Sequence, residues 1–469
     1  MKFYDLIVIG AGPGGTPAAV ASAKFNRSTL LIDKRSKPGG ECLFEGCIPS
    51  KVLENAANRY AMLKSISKFH IEMKGGAQIH WEAVLEEKEK LLKERSFAAL
   101  KQLKSLPSLT FKQGFARFKD EHTIEVNGEI FGFKHAIIAT GAKARIPEFH
   151  GNGISKVWTN ADLFKNNVIP KRIVFIGTGS VSCEFAQMFN KLGTECFVIG
   201  RGKRILKKID EECALKIEKT MKNSGIKIYL NTEIKSIDEK DGKFTINYLQ
   251  NGENKVIKTP YVLVATGRTA NVEGLGFEKA GVEYDSYGIK VNDMLQTSVP
   301  HIYSVGDCNT GAKFAHWATY EAGVAVHNIY APVKKHKVDR SKLSWVLFTD
   351  PQIASVGFNE KEAKDLGMDI SVEKYDFAID ARAQIEKERF GFLKFIIERK
   401  SGIIVGIDIL SKNASSLIGE AALIVANKMR SIDVLKAIHP HPTFTESFGF
   451  LAKNIFFKSM LLDKKNEKN

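Results

Sequence analysis

An α/β fold is what the 469-residue sequence predicts, on three observations: a strand, glycine turn and helix at the N-terminus, a second such unit beginning at Arg172, and a C-terminal part in which strand-like and helical runs alternate. At about 150 residues per domain, this length predicts roughly three domains. The composition, 44% hydrophobic and 26% charged with 38 glycines, is globular rather than disordered or fibrous. Apolar runs such as Leu6-Ile7-Val8-Ile9 are far too short to span a membrane. Met1-Lys2 and the apolar residues after it lack a small-residue cleavage site and run straight into a glycine turn, so they read as a first strand and the protein as cytoplasmic. The net charge of +16 comes from scattered lysines, with one terminal cluster at Lys464-Lys465-Asn466-Glu467-Lys468. That is a solvated basic surface; neither a nucleic acid nor a membrane is expected as partner.

The first unit opens with Tyr4 to Ile9, continues through Gly10-Ala11-Gly12-Pro13-Gly14-Gly15, and ends in an alanine-rich stretch reaching Lys24. Gly10, Gly12 and Gly15 have the spacing of a dinucleotide fingerprint. One makes the tight turn, one admits a pyrophosphate to the backbone, and one lets helix and strand approach closely. The phosphates would sit at the positive end of the helix. A glycine pattern alone is also compatible with a helix-packing turn. Here the next strand, Thr29 to Ile32, ends at Asp33, which is placed to accept hydrogen bonds from a ribose.

The arrangement recurs as Arg172 to Ile176, then Gly177-Thr178-Gly179-Ser180-Val181-Ser182, then a helix through Leu192. Two units predict two bound dinucleotides, with Ser182 standing for the third glycine. After the strand Glu195 to Ile199, the position for a ribose-binding acid is Gly200, followed by Arg201, Lys203 and Arg204. An acid there holds the free ribose of NAD, whereas arginine accommodates the 2′-phosphate of NADP, so the sequence favours NADP.

Between the two units lies Gly39-Gly40-Glu41-Cys42-Leu43-Phe44-Glu45-Gly46-Cys47-Ile48-Pro49-Ser50-Lys51. Two thiols four residues apart come within disulfide reach if the chain turns between them, and Gly46 eases that turn. Pro49 fits the first turn of a helix, which predicts a helix from near Cys47 to Ala61 whose positive end stabilises a Cys47 thiolate. A zinc site would need two further ligands at matching spacing, and no nearby Cys or His supplies them, so no metal is expected. Cys183, Cys196, Cys213 and Cys308 have no pairing logic and read as packing thiols.

With these motifs, and with Ala139-Thr140-Gly141, Ala265-Thr266-Gly267-Arg268, Ile302-Tyr303-Ser304-Val305-Gly306-Asp307 and His439-Pro440-His441-Pro442-Thr443-Phe444-Thr445-Glu446, the chain resembles the class I pyridine nucleotide-disulfide oxidoreductases over nearly its whole length. Within that family it is most similar to dihydrolipoamide dehydrogenases. The resemblance implies two Rossmann-like domains, for FAD and for NAD or NADP, and a C-terminal α+β dimerisation domain. The implied boundaries are 1–148 and 271–340 for the FAD domain, 149–270 for the nicotinamide domain, and 341–469 for dimerisation. It further implies that Asp307 holds the ribityl chain of FAD, that Thr140, Gly141 and Gly267 line the cofactors, and that Lys51 and Glu184 pair beside the flavin.

The resemblance also assigns the chemistry. Cys47 would stack on the flavin as a thiolate and Cys42 would exchange with the substrate disulfide. Such exchange needs a proton acceptor, which His441 can supply near neutral pH, with Glu446 orienting it. His439 reads as structural. The histidine of one subunit serves the cysteines of the other, so a homodimer is expected. The tail from Phe456 has no cysteine pair of the kind that serves mercuric ion, and Val20 and Ala21 stand where glutathione reductases carry arginines. A dihydrolipoyl dithiol, free or on a lipoyl domain of a 2-oxo acid dehydrogenase complex, is therefore the expected substrate. Gly200 with Arg201, Glu41 in place of a small residue, and Trp317 in place of a lysine depart from that pattern and keep open an NADPH-dependent reductase of another disulfide or thiol-reactive substrate.

Overall fold

The computed structural model describes residues 1–331 and 333–466, which divide into two compact units. The first comprises Met1–Gly177, Met188–Ile199 and Thr232–Val338; the second comprises Thr178–Gln187, Gly200–Asn231 and the chain from Asp339 onward. The expected junctions after residues 148 and 270 both fall inside the first unit, and the segment 149–270 contributes to both.

In the first unit, strand β1 (Lys2–Ile9) lies in parallel between β2 (Thr29–Asp33) and Glu129–Ile138. Leu109–Gln113 extends the sheet beyond β2, Ile302–Ser304 pairs with Glu129–Ile138, and two antiparallel strands complete its seven. Leu6, Ile7 and Val8 are all buried, as expected of a parallel strand covered on both faces. Helix α1 (Gly15–Lys24) lays Ala18, Ala19 and Ala23 into the core formed with Leu6, Val8, Leu31 and Ile137. These small side chains bring the helix close to the sheet. On the other face, Ile7, Ile9 and Leu30 join Phe118, Phe133 and Phe277.

Beyond β2 the chain forms α2 (Gly40–Phe44) and then α3 (Cys47–Lys64), with Pro49 inside its first turn, where its missing N–H costs nothing. A long charged helix, Trp81–Lys104, packs against α3. Further on, Arg172–Ile176 runs in parallel between Glu195–Ile199 and Val262–Val264, and Thr232–Thr259 makes three antiparallel strands.

The second unit contains an antiparallel sheet in the order Ser344–Leu347, Gln352–Gly357, Ile404–Ser411, Phe392–Glu398, Ile370–Asp376. Helices Ala414–Ala426 and Glu446–Asn466 supply Leu417, Ala421 and Phe448 to its core of Phe377, Phe395 and Ile407. The α+β character expected of the C-terminal part is thus present. The side chains of the Lys464–Lys468 cluster lie outside the described residues. No described helix is long and apolar enough to cross a membrane.

Candidate active site

Cys42 sits in the middle of α2 and Cys47 in the first turn of α3, with the Gly46 link between them. This turn brings the two side chains into mutual hydrogen bonding and leaves Cys47 exposed. They share one proton unequally. The hydrogen bond from Cys42 holds the Cys47 thiol below its ordinary range, against the effect of burial, and its place at the helix start and the nearby Lys51 act in the same direction. The same hydrogen bond, with burial, drives Cys42 far upward. The two thiols are thus unequal, Cys47 giving up its proton more readily than Cys42. The other four cysteines are buried, with thiols pushed up chiefly by desolvation, as inert packing groups should be.

Lys51 and Asp307 act electrostatically on the pair. Lys51, one turn after Cys47, is ion-paired with Glu54. Asp307 lies in a tight turn after Ile302–Ser304, its carboxyl raised by burial although Arg268 and Lys313 pull it the other way. That turn is fixed by buried Glu321, whose Oε2 accepts the Gly306 N–H at 2.6 Å and an Asn309 amide N–H at 3.1 Å. Thr140 donates its hydroxyl to Asn271 O at 2.7 Å, and Asn271 N–H returns to Gly141 O at 2.9 Å, which ties together the places where the chain leaves and re-enters this region. Glu184, in the second unit, accepts the Phe348 N–H at 2.9 Å.

Both glycine turns have the geometry their spacing predicts. Gly10 and Gly177 have φ of +103° and +119°, and a Cβ on either would lie 2.3 Å from a carbonyl, of Ala139 and Ala265 respectively. Only glycine fits. A Cβ on Gly15 would fall 1.7 Å from Gly10 O, whereas one on Gly12 would meet only Gly40 Cα at 3.6 Å, and one on Gly179 would meet nothing within 4 Å. Asp33 accepts the Ala11 N–H at 2.7 Å and the Arg35 N–H at 2.8 Å, fixing the first turn. Gly267, at φ +125°, is likewise a position for glycine.

In the second unit, His441 Nδ1 lies 3.0 and 3.1 Å from the two carboxylate oxygens of Glu446, and the His441 side chain is 70% exposed. Burial works against the Glu446 carboxylate, but the Thr443 N–H and His441 hold it ionised below the usual range. The carboxylate thereby fixes the imidazole through Nδ1. His439 instead bonds Glu420 at 2.8 Å, and a Cβ on Gly449 would lie 2.9 Å from its ring, so it is a packing residue.

Residues 4–322 match the family described as pyridine nucleotide-disulphide oxidoreductase, and residues 343–452 match its dimerisation domain. The chain belongs to this family. A dihydrolipoyl dehydrogenase of Geobacillus stearothermophilus is 34% identical over 94% of each chain, and the mitochondrial one of Pisum sativum 32% identical over 94% of this chain and 89% of its own. In fold, the chain is similar to an HOCl-induced flavoprotein disulfide reductase, RclA, from Escherichia coli, with TM-score 0.85 and 22% identity over 97% of this chain and 100% of that one.

The protein is accordingly an FAD-dependent, pyridine nucleotide-linked disulfide oxidoreductase. Its two turns fit these cofactors, because Gly12 and Gly179 leave open the space that a side chain would fill. The basic run after Gly200 is not uniform. The Arg204 guanidinium donates to the carbonyls of Leu206 (2.9 Å), Lys207 (2.9 Å) and Ile209 (3.1 Å), so it braces its own loop, while Arg201 and Lys203 are exposed. A Cβ on Gly200 would lie 2.4 Å from Thr178 Cγ2, so Thr178 fills the space next to the position where an acid would stand. The motifs could not reveal Glu321, whose partners are set by the fold.

Proposed function

We propose that the enzyme oxidises a dihydrolipoyl-type dithiol and passes the electron pair to a pyridine nucleotide. The observation that carries this reading is the unequal thiol pair, since exchange needs one sulfur that leaves as thiolate and another that meets the substrate. A substrate thiolate attacks Cys42 Sγ of the Cys42–Cys47 disulfide, and Cys47 leaves as the thiolate that its helix start and Lys51 favour. His441 of a second copy, oriented by Glu446, takes the proton from the second substrate thiol. That sulfur closes the substrate disulfide and expels Cys42, which takes up the proton. Bound FAD supplies the two-electron relay between the thiol pair and the nucleotide, with Lys51 and Glu184 at the flavin and Asp307 at its ribityl chain.

The first turn, with Gly10, Gly12, Gly15 and Asp33, serves FAD; Gly177 and Gly179 serve the nucleotide; Thr140, Gly141 and Gly267 line the cofactors. A cytoplasmic location is part of this reading. Lipoyl domains of a 2-oxo acid dehydrogenase complex are the macromolecular partner of this reading. Gly200, Thr178 and Arg201 favour a second one, in which NADPH reduces a different disulfide by the same steps in reverse.

The test is turnover of the FAD-loaded dimer with dihydrolipoamide and either NAD⁺ or NADP⁺. Reduced nucleotide should form, and Cys42→Ser, Cys47→Ser and His441→Gln should each lower its rate, by roughly a hundredfold or more for the histidine. No turnover with either acceptor, while NADPH reduces another disulfide, would replace the first reading by the second.

A further inference from the structure

Helix α2 has five residues and cannot hold its own shape, because the first turn of a helix fixes several dihedrals for a single hydrogen bond. What holds it is a set of side chains from distant segments. Arg268 grips Glu41 with both terminal nitrogens, Nη1 to Oε1 at 2.9 Å and Nη2 to Oε2, while Nη2 also donates to Ala142 O at 2.5 Å. Asn160 Nδ2 donates to Glu41 Oε1 at 3.1 Å and to Glu45 O at 2.6 Å, bridging the two ends of α2. At the far end Arg35 pairs with Glu45 at 2.9 Å and lies over the Phe44 ring at 5.4 Å. Glu41 immediately precedes Cys42, and Glu45 stands two residues before Cys47.

We propose that Glu41 and Asn160 are positioning residues of the disulfide exchange. Together with Arg268 they clamp both ends of α2 and fix Cys42 opposite Cys47.

When the disulfide opens, the sulfurs separate from about 2 Å to non-bonded contact, and an unclamped five-residue helix would drift. The clamp keeps Cys42 in place for the return step. Glu41 by itself would oppose a thiolate. A bidentate fork from Arg268 cancels that charge, and Asp307 stands 3.4 Å from the Arg268 Nε. Because they carry opposite charges at the end of α2 that holds Cys42, removing Glu41 or Arg268 should move the Cys47 midpoint in opposite directions, a signature that mere bracing lacks.

This inference rests on the reading of Cys42 and Cys47 as the exchanging pair. Its test uses the full-length, FAD-loaded protein, reduced by a phosphine and alkylated with iodoacetamide across pH, with Cys47 modification read by peptide mass. Glu41→Gln should move the Cys47 midpoint to lower pH and Arg268→Gln to higher pH. The double variant should return near the parent midpoint yet keep slow exchange. Glu41→Gln and Asn160→Ala should each lower kcat for the dithiol about tenfold, as expected for loss of a charge-assisted or bridging hydrogen bond, with KM for the nucleotide unchanged. Parent-like kcat and midpoint in Glu41→Gln, or midpoints that move the same way in both single variants, overturn the clamp. Cys42→Ser separates the two readings: if it still exchanges, the thiol-pair reading fails, and if it is inert while Glu41→Gln is parent-like, the clamp alone fails.

Discussion

The two glycine turns begin alike and end differently. Each places its first glycine at positive φ against the carbonyl of an alanine, Ala139 or Ala265, and each leaves its second glycine open for a phosphate. They part at the third position and at the end of the following strand. Gly15 is so close to Gly10 O that no side chain fits, whereas Ser182 is fully buried and its hydroxyl has no partner among the described residues. Asp33 closes the first turn with two backbone N–H groups, whereas Gly200 offers no carboxylate and Thr178 takes the adjoining space. On the proposed reading, the shared half of the motif would bind a pyrophosphate and the divergent half would select which nucleotide carries it.

The largest effect should come from forcing the first turn to resemble the second. Gly15→Ala puts a methyl at 1.7 Å from a carbonyl, so the purified protein should be colourless or insoluble, as absorbance of the bound flavin would show. The converse change should alter specificity. Thr178→Gly with Gly200→Glu supplies the missing acid, and kcat/KM should move from NADP towards NAD by on the order of tenfold or more, measured with both coenzymes.

A smaller and more selective split is expected within the basic run. Arg201→Ala should raise KM for NADPH roughly tenfold and leave NADH unaffected, the loss of one charged hydrogen bond to a 2′-phosphate. Arg204→Ala should instead lower the thermal midpoint and treat the two coenzymes equally, because its partners are the carbonyls of its own loop. The smallest effect is at Ser182. Ser182→Ala removes an unpartnered buried hydroxyl and should stabilise the protein by about 1 kcal/mol in denaturant unfolding, opposite in sign to the alanine at Gly15.

The legible parts of this molecule are those whose physics is local. Gly10, Gly12 and Gly15 are dictated by a turn of six residues, Asp33 by the end of one strand, and the Cys47 helix start by Pro49. His441 and Glu446 are five residues apart and meet as expected. Where partners are remote, the sequence is silent. Glu41 and Arg268 are 227 residues apart, and Asn160 is 119 from Glu41, so no spacing announces that they share a contact. Glu321 looks like a surface residue of a helix until the Gly306 turn is laid over it. Arg204 was indistinguishable from Arg201 in a basic run, because only the folded loop shows which guanidinium turns inward.

The central claim is that electrons pass between a pyridine nucleotide and the Cys42–Cys47 pair through one enzyme-bound flavin. Its most direct test is anaerobic reduction of the oxidised, FAD-loaded dimer with NADPH, followed by alkylation and peptide mapping. Cys42 and Cys47 should both become labelled as the flavin is reduced and reoxidised by the disulfide, with Cys183, Cys196, Cys213 and Cys308 unlabelled. Reduction of the flavin with Cys42 and Cys47 still joined would contradict the account.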